Sequence, residues 1–150
     1  MAQPHLSGPW SKPQIESYLY ESTIPIRLST ISPNGWPIVV SLWFMFDANR
    51  ILCTSRQQSK LINFLKNNSR CAFEISRDSP PYYGVRGQGK ATLLGGDSGK
   101  VLKRLHDRFI GSEETPFRRW LLENTDEEVV VSIEPSRLMS WDYRARMTKK

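Results

Sequence analysis

The stretch Ile24-Pro25-Ile26-Arg27-Leu28-Ser29-Thr30-Ile31-Ser32-Pro33-Asn34-Gly35-Trp36-Pro37-Ile38-Val39-Val40-Ser41-Leu42-Trp43-Phe44-Met45-Phe46 decides the fold. Ile24, Ile26 and Leu28 alternate with Arg27 and Ser29, the period of a half-buried strand. Asn34-Gly35 then signals a hairpin, because both residues tolerate positive φ. The chain returns as the strand Ile38 to Phe46. One face of that strand, Val40, Leu42, Phe44 and Phe46, is wholly apolar. The other, Val39, Ser41, Trp43 and Met45, is nearly as apolar. A hairpin strand with one face in water alternates, so something covers both faces here. The choices are a second subunit, a flat ligand, or a C-terminal helix of the same chain.

Outward from this hairpin the pattern stays strand-rich. The turn Asp47-Ala48-Asn49-Arg50 leads to a strand Ile51 to Thr54, and a helix follows over Gln57 to Lys66 with Leu61, Ile62, Phe64 and Leu65 as its stripe. Arg70 to Ser76 alternates cleanly, with Cys71, Phe73 and Ile75 inward. The strand Gly84 to Leu94 carries Gly84, Gly87 and Gly89, which point to a bend or bulge. Helices follow from Ser98 to Gly111 and from the cap-plus-proline pair Thr115-Pro116. The strands Glu128 to Ile133 and Leu138 to Tyr143 end the pattern. On the N-terminal side, Ser11 and Gln14 form a capping box for a helix bearing Ile15, Tyr18 and Leu19. Hairpin connections make the sheet antiparallel. About seven strands in a small domain hide their edges most simply by closing. The expected fold is mainly β, a closed antiparallel barrel flanked by helices. It occupies one domain, 1–150, with flexible tails at 1–10 and 144–150.

The chain has 150 residues, with 21 Lys+Arg against 15 Asp+Glu, a formal charge of +6. Hydrophobic residues at 39% and charged residues at 24% suit one globular core rather than disorder. The longest apolar run, Ile38 to Phe46, is nine residues, against the roughly 20 a membrane helix needs. The start Met1-Ala2-Gln3-Pro4-His5 lacks a basic-then-apolar signal pattern. Cys53 and Cys71 are too few for a disulfide scaffold or a zinc site, and both fall in apolar strands as buried thiols. A cytoplasmic protein is expected. The basic residues near the end, Arg137, Arg144, Arg146, Lys149 and Lys150, read as a solvated tail, a nucleic-acid arm, or cations meeting a cofactor's phosphates. They form no recognition helix, which argues against nucleic acid.

Motifs for hydrolysis are missing. There is no Gly-x-Ser-x-Gly, Walker loop, Cys-x-x-Cys or dinucleotide fingerprint; Gly87-Gln88-Gly89 lies inside a strand. Of the two histidines, His5 falls in the expected tail and His106 reads as part of a solvated helix face. No side chain is assigned as catalytic, and none as a metal ligand. One junction does carry chemistry: Thr54-Ser55-Arg56-Gln57-Gln58-Ser59-Lys60. Three hydroxyls, Thr54, Ser55 and Ser59, stand beside two cations, Arg56 and Lys60, spaced four apart at a helix start. Free N–H groups at such a start attract anions. The residues suit a phosphate, or else an ordinary Ser55 N-cap followed by solvated basic side chains.

Taken in order, Arg27-Leu28-Ser29-Thr30-Ile31, Asn34-Gly35-Trp36-Pro37, Val39 to Phe44, Thr54 with Ser59-Lys60, and Arg70-Cys71-Ala72-Phe73 resemble the pyridoxamine 5′-phosphate oxidase-like split-barrel family. The ending Ser140-Trp141-Asp142-Tyr143 is similar too. The resemblance implies an FMN-binding oxidoreductase acting on a small molecule, a homodimer with flavin at the subunit interface. It implies that Val39, Val40, Ser41, Leu42 and Trp43 lie along the isoalloxazine. By the same resemblance Thr54, Ser55, Arg56, Ser59 and Lys60 hold the phosphate, and Trp141, with Tyr83 and Arg86, contacts the ring or comes from the second subunit. Arg104-Leu105-His106-Asp107-Arg108 looks like a fragment of the substrate-phosphate segment of the vitamin B6 oxidases, but it sits in a mid-chain helical pattern. The chain is therefore more similar to the short flavin- or deazaflavin-dependent reductases. An 8-hydroxy-5-deazaflavin coenzyme would want a wider basic groove, for which Arg77, Arg86 and Lys90 are the candidates. A module that stores flavin or haem without turnover is the reading from another class.

Overall fold

Alternating side chains place most strands, and they appear where the periodicity predicts them. A computed structural model of the chain describes residues 3–149. In chain order the elements are β1 (His5–Ser7), α1 (Lys12–Glu21), β2 (Ile26–Ile31), β3 (Pro37–Leu42), β4 (Met45–Asp47), β5 (Arg50–Arg56) and α2 (Lys60–Asn67). They continue with β6 (Arg70–Ser76), β7 (Tyr83–Leu94), α3 (Ser98–Phe109), α4 (Pro116–Glu123), β8 (Glu128–Asp142) and α5 (Arg144–Met147). The capping box at Ser11 is formed, with Ser11 N–H donating to Gln14 Oε1 at 2.8 Å.

The strands join in the order β3-β2-β6-β7-β8-β5-β4, every ladder antiparallel, with β1 added in parallel to β8. The result is a mainly β protein with an antiparallel sheet and flanking helices. The expected closure is not made: β3 and β4 end the path, and no ladder joins them among the described residues. Only Trp43 and Phe44 separate the two strands. Three peptide steps span at most about 11 Å, so the sheet curls until its ends are near while staying split at this seam. The cause is packing. Trp43 stacks on Phe109 of α3 (centroids 5.9 Å apart), and Phe44 is fully buried with its ring edge towards Phe109. The single strand expected over Ile38 to Phe46 breaks where these two rings leave the ladder.

Two strands expected at the end are one. β8 continues through Glu134–Arg137 because β7 is long enough to pair with both halves. Ser136 is the extra residue of a bulge between Gln88 and Gly89, and its Oγ donates to the Gln88 carbonyl at 3.1 Å. A side chain at Gly89 would meet the Glu134 carbonyl at 2.3 Å, so the glycine-rich pattern marks a close backbone approach.

The segments expected as tails also carry structure. His5–Ser7 pairs with Arg137–Met139, Trp10 packs against the core, and Arg144–Met147 is helical. Met1, Ala2 and Lys150 lie outside the described residues. The core unites Ile15 and Leu19 of α1, Leu61, Ile62 and Leu65 of α2, and the inward rows of the sheet, including Leu28, Phe73, Ile75 and Val131. Among the described residues no helix is long and apolar enough to cross a membrane.

Candidate functional site

The end of β3 and the end of β5 meet in one pocket of about 410 Å³. From β3 and the seam come Ser41, Leu42 and Trp43; from β5 come Thr54, Ser55 and Arg56. Leu102 and Leu105 of α3, Leu121 of α4, Pro25 and Glu128 complete the wall. Two groups of residues more than ten positions apart in sequence, one apolar and one rich in hydroxyls, therefore face the same space. Trp43 is held by the stack on Phe109 and by the edge of His106 at 6.0 Å.

The helix start differs in detail from the expectation. Arg56 ends β5 and Lys60 opens α2, with Gln57 and Gln58 turning between them, so the two cations do not share one helix face. Ser59, not Ser55, is the N-cap. Its Oγ accepts from Ile62 N–H at 3.2 Å and lies 2.9 Å from Ser55 Oγ. The capping hydroxyl is thus committed to the helix and to positioning Ser55. Arg56 Nη1 lies 3.3 Å from Glu127 Oε2, with both side chains about half exposed, an ion pair worth under about 1 kcal/mol. Glu128, opposite Arg56 in the ladder, has its carboxyl pushed upward by burial, against the downward pull of Arg56. Lys60 is exposed and has no carboxylate within ion-pair distance among the described residues, and neither it nor Ser59 lines the pocket.

The remaining expected residues lie elsewhere. Val40 packs on the core, Val39 is 65% exposed on the outer sheet face, and neither lines the pocket. Trp141, near the far end of β8, has the Arg86 guanidinium 5.5 Å from its ring. Arg86 and Lys90 share the exposed face of β7, about 13 Å apart by strand geometry. Arg77 lines a different cleft, so the three-residue basic groove is not assembled.

His106 corrects the reading of a solvated face. It is fully buried, with Nδ1 3.0 Å from the Gly111 carbonyl and 2.8 Å from Arg118 Nη1; Arg118 in turn donates to Asp107 Oδ1 at 2.5 Å. Leu102, Leu105, His106 and Phe109 fall on one helical face, which α3 turns inward. Arg108 is equally unlike a solvated cation: its guanidinium donates to the carbonyls of Leu19, Tyr20 and Ser22, satisfying the end of α1. The segment Arg104 to Arg108 is thus structural cement. Glu127 and Glu128 were missed from sequence, because only the β5–β8 register brings them to Arg56. Both thiols are buried and free, with Cys71 pushed up to about 12 by desolvation and Cys53 higher still, so neither supplies a thiolate at neutral pH.

The sequence model of the family described as pyridoxamine 5′-phosphate oxidase matches residues 12–133, and the chain belongs to that family. Among solved structures, a conserved hypothetical protein from Mycobacterium tuberculosis is similar with a TM-score of 0.81 at 20% identity, over 99% of this chain and 95% of that one. A protein described as an F420 reductase gives 0.66 at 22% identity, over 81% of this chain and 94% of that one. The haem storage protein HutZ from Vibrio cholerae gives 0.66 at 15%, over 85% and 92%. At these identities the likeness is one of fold. None of the curated proteins compared matches the sequence.

Proposed function

We propose that the chain is an FMN-binding oxidoreductase that works as a homodimer on a small-molecule substrate. One observation carries this reading: a single pocket joins Ser41–Trp43 to Thr54–Arg56, in a chain of the pyridoxamine 5′-phosphate oxidase family. The donor set suits the group. Trp43, Leu102, Leu105 and Leu121 offer an apolar wall for a planar ring, and Thr54, Ser55 and Arg56 offer donors for a phosphate. FMN, when bound, supplies the hydride or electron chemistry itself.

The chain's residues then divide the work. Ser41, the one hydroxyl on the strand beside the ring, orients it. Leu105 and Trp43 keep water from that end. Arg56 is shared with Glu127 in an exposed pair and stands opposite Glu128, so part of its charge is already engaged. Lys60, at the start of α2 and outside the pocket lining, is the unpaired cation proposed to reach over to the phosphate, while Thr54 and Ser55 donate from the pocket wall. Val39 and Trp141 do not reach the pocket of their own chain, and in the homodimer they act from the second copy. The outer rows of the sheet, such as Ser41, Arg27, Glu74, Arg86 and Met139, make the surface for that contact.

A deazaflavin coenzyme and haem are the alternative ligands, the first suggested by the fold shared with an F420 reductase and the second by that shared with a haem storage protein. The separation of Arg77 from Arg86 and Lys90 favours the shorter FMN over a cofactor with a long acidic tail. The test is an absorption spectrum of the purified protein, with the released chromophore identified by mass. FMN supports the reading; a deazaflavin or haem replaces it.

A further inference from the structure

A second cleft, of about 720 Å³, opens between α1, the β6–β7 loop and α5. It shares no lining residue with the pocket at Trp43, although Ile24 lines one and Pro25 the other. Three aromatic rings form its wall: Trp10 and Tyr18 have centroids 5.1 Å apart, Tyr18 and Tyr83 6.0 Å, and Trp10 and Tyr83 6.1 Å. Two guanidinium groups flank the same wall, Arg144 at 4.4 Å and Arg77 at 5.6 Å from the Tyr83 ring centroid.

The two cations are not equivalent. Asp142 fixes Arg144, accepting from its Nε at 2.9 Å, and also accepts from Trp10 Nε1 at 3.1 Å. One carboxylate therefore holds both a ring and a cation of the wall in place. That carboxyl is held well below the usual range, chiefly by its hydrogen bond from Arg144. Arg77 has no such partner. Its Nε donates to the Ser79 carbonyl at 3.1 Å and its Nη1 to Tyr83 Oη at 3.2 Å, and no carboxylate pairs with it among the described residues. A guanidinium has five donors, so three N–H groups of Arg77 remain, both on Nη2 and one on Nη1. With its end-facing N–H groups turned to the cleft, a guanidinium takes a carboxylate in a bidentate pair. Glu21 also lines the cleft, and its carboxylate disfavours ligands of higher negative charge.

We infer that this cleft is a binding site for a planar aromatic monocarboxylate, with its ring against Trp10, Tyr18 and Tyr83 and its carboxylate on Arg77. The volume falls within the roughly 300–1,000 Å³ range of small-molecule sites. The inference does not rest on the flavin reading and holds whether or not a cofactor is bound.

The test is calorimetric titration of the purified full chain with 4-hydroxybenzoate. The expected result is saturable binding of one ligand per chain, weakened about tenfold to a hundredfold by Arg77→Gln, the loss of a charge-assisted contact. Arg77→Lys keeps the charge without the fork and should lose several-fold. It also serves as the second variant should Arg77→Gln fail to show a native melting transition. Cyclohexanecarboxylate, which carries the charge without the flat ring, should bind more weakly, and inorganic phosphate should not compete. No saturable binding to the native chain overturns the proposal, as does equal affinity in the folded Arg77 variants. Phosphate competing as well as the aromatic acid also overturns it, since the rings would then take no part.

Discussion

β6 and β3 flank the same strand, β2, yet the chain treats them differently. β6 alternates, burying Cys71, Phe73 and Ile75 and leaving Ala72, Glu74 and Ser76 half-buried. β3 is apolar on both faces, yet Pro37, Ile38 and Val39 are exposed. In β6 the sequence pattern and the burial within one chain agree. In β3 they disagree, and it is this mismatch that the proposed second copy would cover. A strand that spends its apolar side chains on solvent is poorly explained by its own fold.

The largest effect tests the β6 half of this contrast. Phe73→Ala should destabilise the protein by about 3–5 kcal/mol in denaturant titration, through lost burial and an unfilled cavity. A loss under about 1 kcal/mol would show that the inward row of β6 is not the core. The β3 half is tested by Val39→Arg. Light scattering of the native chain should give twice 17.3 kDa, and the variant should fall to the single-chain mass with its melting transition retained. A native monomer, or a variant that stays dimeric, would break the assignment of β3's outer face to a second copy.

Next in size is Lys60→Ala, which should weaken FMN about tenfold to a hundredfold, roughly 1.5–3 kcal/mol, without affecting folding. Arg56→Ala should cost less, because Glu127 already shares that charge. The reverse order would move the phosphate anchor from α2 to the end of β5. The smallest effect lies at the far end of β8. Asp142 has a folded pKa below its unfolded value of about 3.9. Its contribution to stability is therefore present above that unfolded value and fades as pH falls through the folded one. The melting-temperature gap between the native chain and Asp142→Asn should stay constant from pH 7 to about pH 5 and narrow below about pH 4. A gap that widens in acid would contradict the ion pair with Arg144.

Much of this was legible from residues alone. Alternation in Arg70 to Ser76, the Ser11–Gln14 box, the Thr115-Pro116 start and the glycine-marked bulge all rest on local rules, and local rules fixed them. The two-sided apolarity of Val39 to Met45 was legible as an oddity, though not the break at Trp43–Phe44, which depends on where Phe109 arrives from 65 positions away. His106 was misjudged because its charged sequence neighbours masked the inward helical face that Leu102, Leu105 and Phe109 define. In the candidate site, the meeting of Ser41 with Thr54 follows the order of parts, but the acids opposite Arg56 come from a register that no local pattern encodes. The cleft beneath Trp10 was likewise out of reach, since its walls come from both ends of the chain.

In the proposed function, the end of β3 holds the ring and the end of β5 the phosphate of one flavin. This arrangement is tested most directly by titrating the cofactor-free protein with FMN and then reducing it in a stopped-flow instrument, beside Ser41→Leu and Thr54→Val. One FMN should bind per chain. Ser41→Leu should impair binding or reduction, and Thr54→Val should raise the dissociation constant while leaving the reduction rate at saturation nearly unchanged. Failure of the native chain to bind FMN saturably, or equal effects of the two substitutions on the rate at saturation, would contradict this arrangement.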